Sequence, residues 1–292
     1  MPSVDEFFLD PRVVRRAFEH AAESFDAASV VHAEIRSRLI ERLDVVRLDP
    51  TVVLDLGAAT GHGSRALKTR YPRANVIALD LSTAMLREAR RQQRLFRRFK
   101  RVAGDAARLP LRSDSVDLVF SNLMLQWCSD PDAVFRETRR VLRQGGLLTF
   151  ASLGPDSLRE LRTAWAQIDR GTHVHRFIDM HDIGDALVRT GFAEPVMDTE
   201  RLTITYSSVD RLLKELRLTG SSNLAHGRRR GLAGNAVGRR FKEACQSVRY
   251  EDVLPVTLEI VYGHAWAGPS NRGRGERSET TVPVTSIGRR RT

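Results

Sequence analysis

The stretch Thr51-Val52-Val53-Leu54-Asp55-Leu56-Gly57-Ala58-Ala59-Thr60-Gly61 decides how the chain reads. Its first half is a continuous, β-branched apolar run, the pattern of a strand covered on both faces. Its second half is a loop bounded by two glycines. Gly57 and Gly61 lack Cβ, so the backbone can turn tightly there and a ligand can approach closely. A helix over residues 63–69 is expected next, offering free N–H groups at its start, and Pro72 breaks it. In an open α/β sheet, ligands settle at the carboxyl ends of the strands, where this loop would lie. The G-x-A-x-G spacing alone is a weak signal, since a plain strand-to-helix turn also produces it.

Downstream, residues 75–80 read as a second buried strand ending in Asp80, and Ser82 as the N-cap of the next helix. A short strand over 101–103 leads into Gly104-Asp105. Residues 115–121 read as strand, 132–142 as helix, Gly145-Gly146 as a turn and 147–152 as strand. Strand and helix alternate five times, which predicts a parallel, doubly wound sheet with helices on both faces. Upstream lie helices over 12–22 and 32–43, ended by Pro50. Beyond the alternating part come helices over 156–169 and 179–190, a loop over 171–178, and Gly191 as a C-terminal cap. A strand over 201–206, a helix over 209–218, a basic Gly-rich stretch over 220–240 and a strand over 256–264 complete the reading. Residues 268–292 are rich in Gly, Pro, Ser, Thr and Arg, and a disordered basic tail is expected there.

The 292 residues, 41% hydrophobic and 28% charged, suffice for a sizeable core and exclude disorder of the whole chain. Cys128 and Cys245 form no CxxC pair, which excludes a disulfide framework and a cysteine zinc site and fits a reducing compartment. No secretory pattern opens the chain and no apolar run is long enough to span a bilayer, so a cytoplasmic protein is expected. Lys and Arg outnumber Asp and Glu by 47 to 36, a net charge of +11. Such a surface favours anionic partners.

Two further acids point to the ligand. Asp80 ends the second strand, where a carboxylate can accept from a ribose diol, and Asp105 ends the third, where it can accept from an adenine amino group. The dinucleotide fingerprint G-x-G-x-x-G is absent from the loop, which reads D-x-G-x-A-x-G. It resembles motif I of the class I S-adenosylmethionine-dependent methyltransferases, with Ala59 in place of the usual glycine. Asp105-Ala106-Ala107-Arg108-Leu109-Pro110, the segment from Ser115 to Asn122, and Leu142-Arg143-Gln144-Gly145-Gly146-Leu147 resemble later segments of that superfamily. The resemblance implies a Rossmann-like α/β fold. Its sheet would be seven-stranded and mostly parallel, with a helical insertion on the acceptor side before the last strand. It also implies S-adenosyl-L-methionine as cofactor and no metal. The cofactor residues carried over are Asp55, Gly57, Ala59, Gly61, Asp80, Leu81, Asp105, Ala106 and Asn122. The implied organisation is N-terminal helices covering the cofactor over 1–50, a core over 51–152, the rest of the same domain over 153–267, and the tail.

A closer resemblance extends beyond the core. Arg16-Ala-Phe-Glu-His-Ala-Ala-Glu-Ser-Phe25-Asp26, Ser121-Asn122-Leu-Met-Leu-Gln126-Trp127-Cys128, Leu158-Arg-Glu-Leu-Arg-Thr-Ala-Trp165, His173-Val-His-Arg176-Phe177 and Tyr262-Gly-His-Ala-Trp266 are similar to the malonyl-acyl-carrier-protein O-methyltransferases of biotin synthesis. Phe25 stands where that family often has Tyr, and His175 where Asn is common. The implied reaction is methylation of the free carboxylate of a malonyl thioester, on an acidic acyl carrier protein or coenzyme A. A carboxylate is ionised at neutral pH, so the reaction needs alignment and exclusion of water rather than a strong base. His173, Arg176 and Trp127 are the candidates on the acceptor side: two to position the carboxylate, one to wall the pocket. The basic run from Arg90 to Arg101 and the group Arg228, Arg229, Arg230, Arg239 and Arg240 are candidate docking patches for the carrier protein.

A nucleic-acid methyltransferase suits the charge. Yet Ser121-Asn-Leu-Met is not the Asn/Asp-Pro-Pro-aromatic turn of base N-methylation, and no Pro-Cys pair or aromatic platform is present. Nucleic acid and membrane are therefore not expected partners. A methyltransferase for another small carboxylic acid, or a methyltransferase-like assembly protein, remain as alternatives, distinguished by the loop over 173–177 and by turnover.

Overall fold

The computed structural model describes residues 8–93, 97–228 and 235–268. The expected tail beyond 268, Arg94 of the first basic run, and Arg229 and Arg230 of the second lie outside the described residues. In chain order the elements are α1 (Pro11–Ala21), α2 (Phe25–Ala28), α3 (Val30–Glu41), β1 (Val52–Leu56), α4 (His62–Arg70), β2 (Asn75–Asp80), α5 (Thr83–Arg91), β3 (Lys100–Ala103) and β4 (Val116–Asn122). There follow α6 (Pro131–Val141), β5 (Leu142–Leu153), α7 (Arg159–Ala166), α8 (Met180–Arg189), β6 (Phe192–Tyr206), α9 (Val209–Leu218), α10 (Asn235–Gln246) and β7 (Leu254–Ala267).

The helix starts follow from local chemistry. Asp10, Asp130 and Asp179 accept N–H groups of the first turns of α1, α6 and α8, with Pro11 and Pro131 in the first helical position of α1 and α6. Ser82 and Ser208 cap α5 and α9 in the same way. The strands form one seven-stranded sheet in the order β3-β2-β1-β4-β5-β7-β6. β1 to β5 pair in parallel, and β7 runs antiparallel between β5 and β6. The expected mostly parallel sheet is therefore present, and α9 and α10 form the helical excursion before its last strand.

Successive side chains of β1 point to opposite faces. Leu54 and Leu56 enter one core layer with Phe135, Phe150 and Leu187, while Val53 enters the other with Ile35, Leu39 and Phe120. A third apolar cluster joins α7, α9 and α10 to β6 and β7 through Leu161, Leu212, Phe241 and Val256. Several boundaries depart from the sequence reading, β7 among them, which runs Leu254–Ala267 rather than 256–264. β6 begins at Phe192 rather than 201, because the polar alternation of an edge strand and Pro195 disguise its first half. The register shifts between Ala193 and Val196, a bulge that accommodates the proline. β5 begins at Leu142, taking in Gly145 and Gly146, which read as a separate turn. α7 is shorter than expected, starting after Leu158 at φ +61°. The basic stretch over 220–240 gives way at Asn235 to α10, which buries Phe241 and Cys245.

Candidate functional site

The loop after β1 is held from three sides. Gly57 and Ala58 donate to Leu79 O at 2.9 and 3.0 Å, and Ala59 N donates to Asp80 Oδ2 at 2.8 Å. Gly57 and Gly61 have φ of +78° and +79°, the left-handed region that glycine enters freely. Ala59 holds φ +46° despite its Cβ. A Cβ on Gly57 would fall 2.5 Å from Met124 Cβ, and one on Gly61 would fall 2.9 Å from the Phe99 ring. Both glycines therefore serve close packing of the protein itself, in addition to the turn.

Asp55 is buried and accepts from Ser64 Oγ at 2.6 Å, so it fastens the loop to the start of α4. Burial pushes its carboxyl up to about 6, with Asp80 adding to the rise. Asp80 presents a different picture. Its Oδ1 accepts from Ser82 N at 2.8 Å and its Oδ2 from Ala59 N, leaving one further acceptor direction on each oxygen. Burial pushes this carboxyl, too, up to about 6, against the pull of those N–H donors. Asp105 Oδ1 accepts from Ala107 N at 2.9 Å and shapes the turn after β3.

These residues border a cavity of about 250 Å³. Gly57, Ala59, Asp80, Leu81, Asp105, Ala106 and Asn122 line it, while Asp55 and Gly61 stand behind the wall as supports. Leu9, Val14, Phe18 and Phe25 close the cavity from the N-terminal side. Phe25 packs with Met85 and Ala59. Thr60 Oγ1 donates to Asp26 Oδ1 at 2.5 Å, which ties α2 to the loop. Cys128 lines the same cavity, but burial pushes its thiol up to about 12, so it stays protonated and is no nucleophile. Two carboxylates at the strand ends, close backbone at Gly57 and an apolar lid suit an adenosine-containing ligand.

A second, mainly apolar cavity of about 400 Å³ abuts the first. Its walls come from α3, the segment after β4, α7, the 173–177 loop, β6, α9 and β7. His32, Leu123 and Trp127 line both cavities. Trp127 stands edge-on to Phe18 at 5.2 Å and to His175 at 5.1 Å between ring centroids. His173 lines the second cavity, with Nε2 2.7 Å from Asp169 Oδ1 and its ring stacked on Trp165 at 3.7 Å. His175 Nε2 lies 3.0 Å from Ser222 O and 3.1 Å from Leu224 N, so it joins the 173–177 loop to the loop after α9. Arg176 is exposed and lines neither cavity. The structure thus brings Trp127 and His173 to the second cavity and leaves Arg176 outside.

Several lining residues escaped the sequence reading: His32, Tyr206, Glu215 and Arg217. Tyr206 donates to Glu215 Oε1 at 2.9 Å. A signal existed for His32 alone, as a polar residue at the head of the apolar stripe Ile35-Leu39. Among the described residues no cluster of His, Cys, Asp and Glu could hold a metal ion, and no helix is long and apolar enough to cross a membrane.

Comparison with known proteins matches residues 54–150 to the model of a methyltransferase domain. The malonyl-[acyl-carrier protein] O-methyltransferase of Laribacter hongkongensis is 49% identical over 92% of this chain and 93% of its own length. The protein of the same name from Gallionella capsiferriformans is 46% identical over 90% and 93%. Among solved structures, phosphoethanolamine N-methyltransferase 2 of Haemonchus contortus superposes with a TM-score of 0.53 at 17% identity. That match covers 86% of this chain and 57% of the other, and it speaks to the fold alone.

Proposed function

The chain belongs to the malonyl-[acyl-carrier protein] O-methyltransferase family, and we propose that its two abutting cavities divide the reaction, methyl donor in the first and malonyl arm in the second. The protein is an S-adenosylmethionine-dependent methyltransferase that esterifies the free carboxyl of malonyl-acyl carrier protein, the entry to biotin synthesis in this family. The observation that carries the division is the shared wall of His32, Leu123 and Trp127, where a donor on one side faces an acceptor on the other.

When bound, S-adenosylmethionine supplies a sulfonium methyl group to the carboxylate; a C–O bond forms, the C–S bond breaks and no proton moves. In this reading the chain's part is to bind, align and keep water out. Asp80 takes the ribose hydroxyls on the acceptor directions its N–H donors leave free. Leu81 and Ala106 sandwich the base, Asp105 takes its amino group, and Gly57 and Ala59 give the methionine end its backbone wall. Asn122 closes the floor at the end of β4. Asp55 and Gly61 act at one remove, by fixing the loop. Trp127 separates the reacting groups from solvent, and His173, held by Asp169 and Trp165, positions the arm deeper in the second cavity. Arg176 has no part in the carboxylate site in this reading.

The helices before residue 50 act as the lid of the donor cavity, residues 51–152 as its floor and residues 153–267 as the acceptor half of the same domain. The acceptor's protein carrier is acidic, and the net charge of +11 steers its approach. Arg239 and Arg240, exposed on α10, belong to the docking face, and Arg228 braces it by donating to Leu224 O and Ala225 O. Nucleic acid and membrane are not partners in this reading, and the two free cysteines fit the cytoplasm.

The test is mass spectrometry of malonyl-acyl carrier protein after incubation with the enzyme and S-adenosylmethionine. A gain of one methyl group is expected, together with resistance of acetyl-acyl carrier protein. No gain with intact donor binding would defeat the assignment.

A further inference from the structure

We infer that His32 receives the acceptor's carboxylate, donating a hydrogen bond from a neutral imidazole where the two cavities meet. The inference rests on the two-cavity reading above. His32 sits in the first turn of α3, on the face that carries Ile35 and Leu39 into the core, and is one of the three side chains that line both cavities. Its ring stands edge-on to Phe25 at 5.0 Å, which fixes its plane. Asn122 Nδ2 donates to His32 O at 3.1 Å, so the end of β4 holds the backbone of that turn.

The two ring nitrogens differ in their surroundings. Nδ1 is enclosed and has no partner among the described residues. A proton there would be an N–H buried without an acceptor, a more severe loss than an idle lone pair. The proton therefore belongs on Nε2, which no protein group engages among the described residues and which is the nitrogen left to the cavities. Burial and the nearby Arg36 guanidinium lower the ring to about 4, so it is neutral at working pH. The result is a single N–H donor, preset in tautomer and plane, with no protein acceptor.

A carboxylate is the chemistry that suits such a donor, and its neutrality matters for this reaction. A full cation paired with the acceptor would draw charge from the oxygen that must attack. A neutral donor orients one oxygen and leaves the charge on the other. Among the described residues neither cavity is lined by lysine, and the one arginine that borders them, Arg217, is exposed on α9. In the two-cavity reading two carboxylates would come near this junction, the malonyl group and the amino-acid end of the methyl donor. We assign His32 to the malonyl group, because its oxygen must reach the shared wall.

The experiment compares His32→Phe, which keeps the ring packed on Phe25 without a donor, with His32→Gln, which restores an N–H. Steady-state kinetics are read with malonyl-acyl carrier protein, donor affinity by calorimetry, and acceptor selectivity as the ratio of acetyl- to malonyl-acyl carrier protein dissociation constants. His32→Phe is expected to lower kcat/KM about 30-fold and to collapse that ratio, with donor affinity within about twofold of the parent and an unchanged melting temperature. His32→Gln is expected to recover most of both. Unchanged kcat/KM and selectivity in His32→Phe would overturn the inference. Loss of donor affinity with acceptor selectivity intact would overturn it too, and would move His32 to the donor's carboxylate. Failure of the parent enzyme to methylate the carrier would instead strike the two-cavity reading itself.

Discussion

Glu137 and Arg140, one turn apart on α6, grip a single loop by both of its polar edges. Leu109 N donates to Glu137 Oε2 at 2.7 Å, and Arg140 donates to Leu109 O and Leu111 O, each at 2.9 Å. Arg140 also meets Glu137 through two bonds of 2.7 Å, and this pairing, ahead of other causes, holds the Glu137 carboxyl below its usual range. The clamped loop continues from Asp105 and Ala106 in the wall of the donor cavity. Replacing Arg140 by Met would free two carbonyls and one carboxylate. The expected outcome is a loss of about 2 kcal/mol of stability and a donor affinity lowered about tenfold, checked by thermal melting and calorimetry.

Asp80 makes donor binding depend on pH. In the proposed reading ribose hydroxyls donate to the ionised carboxylate, while the free protein holds this group up at about 6. Binding favours the charged form, so affinity is fully present well above pH 6 and declines as pH falls through it, approaching about tenfold per unit. Calorimetric titration between pH 5 and pH 8 reads the slope. Asp80→Asn is expected to flatten it and to weaken binding about 100-fold at the alkaline end, from two lost charge-assisted hydrogen bonds.

Gly57→Ala combines two faults, a Cβ at φ +78° and one pressed against Met124. Left-handed backbone alone costs an L-residue about 1–2 kcal/mol. Trimming Met124 to Ala in a double variant is expected not to rescue it, because the Met124 Cβ itself lies 2.5 Å from the new methyl. Melting curves of the two single variants and the double would show a large shared loss from Gly57→Ala and no recovery.

Trp127→Phe retains an aromatic edge toward Phe18 and His175 but thins the wall between the cavities. Stability is expected to change by about 1 kcal/mol, whereas kcat falls about tenfold through lost alignment and admitted water. An equal rise in KM at constant kcat would show that Trp127 only helps to hold the acceptor.

The strand-end loop and the first cavity's lining were legible because their signals are local. The apolar run of β1, the two glycines and the acid at the end of β2 each depend on neighbours in sequence, and the parallel order of the strands followed from their alternation with helices. The second cavity was less so. It draws on residues from Ala28 to Leu258, which no single window contains. Arg176 shows the difference: its residue type suits a carboxylate, but a loop has no periodicity to say which way a side chain faces, and this one faces out. The first half of β6 stayed hidden because charged residues alternate along an edge that water reaches, and Pro195 sits in a bulge where its missing N–H does no harm.

The placement of β7 between β5 and β6 also sets a timetable for biosynthesis. Among the described residues, the lining of the first cavity belongs to residues 8–134, whereas Val256 and Leu258 of β7 complete the second. On the ribosome, these lining residues emerge before the strands that complete the sheet. The first cavity's lining is thus encoded ahead of β5, the strand that pairs with β4 beside it, and ahead of β7, which completes the second.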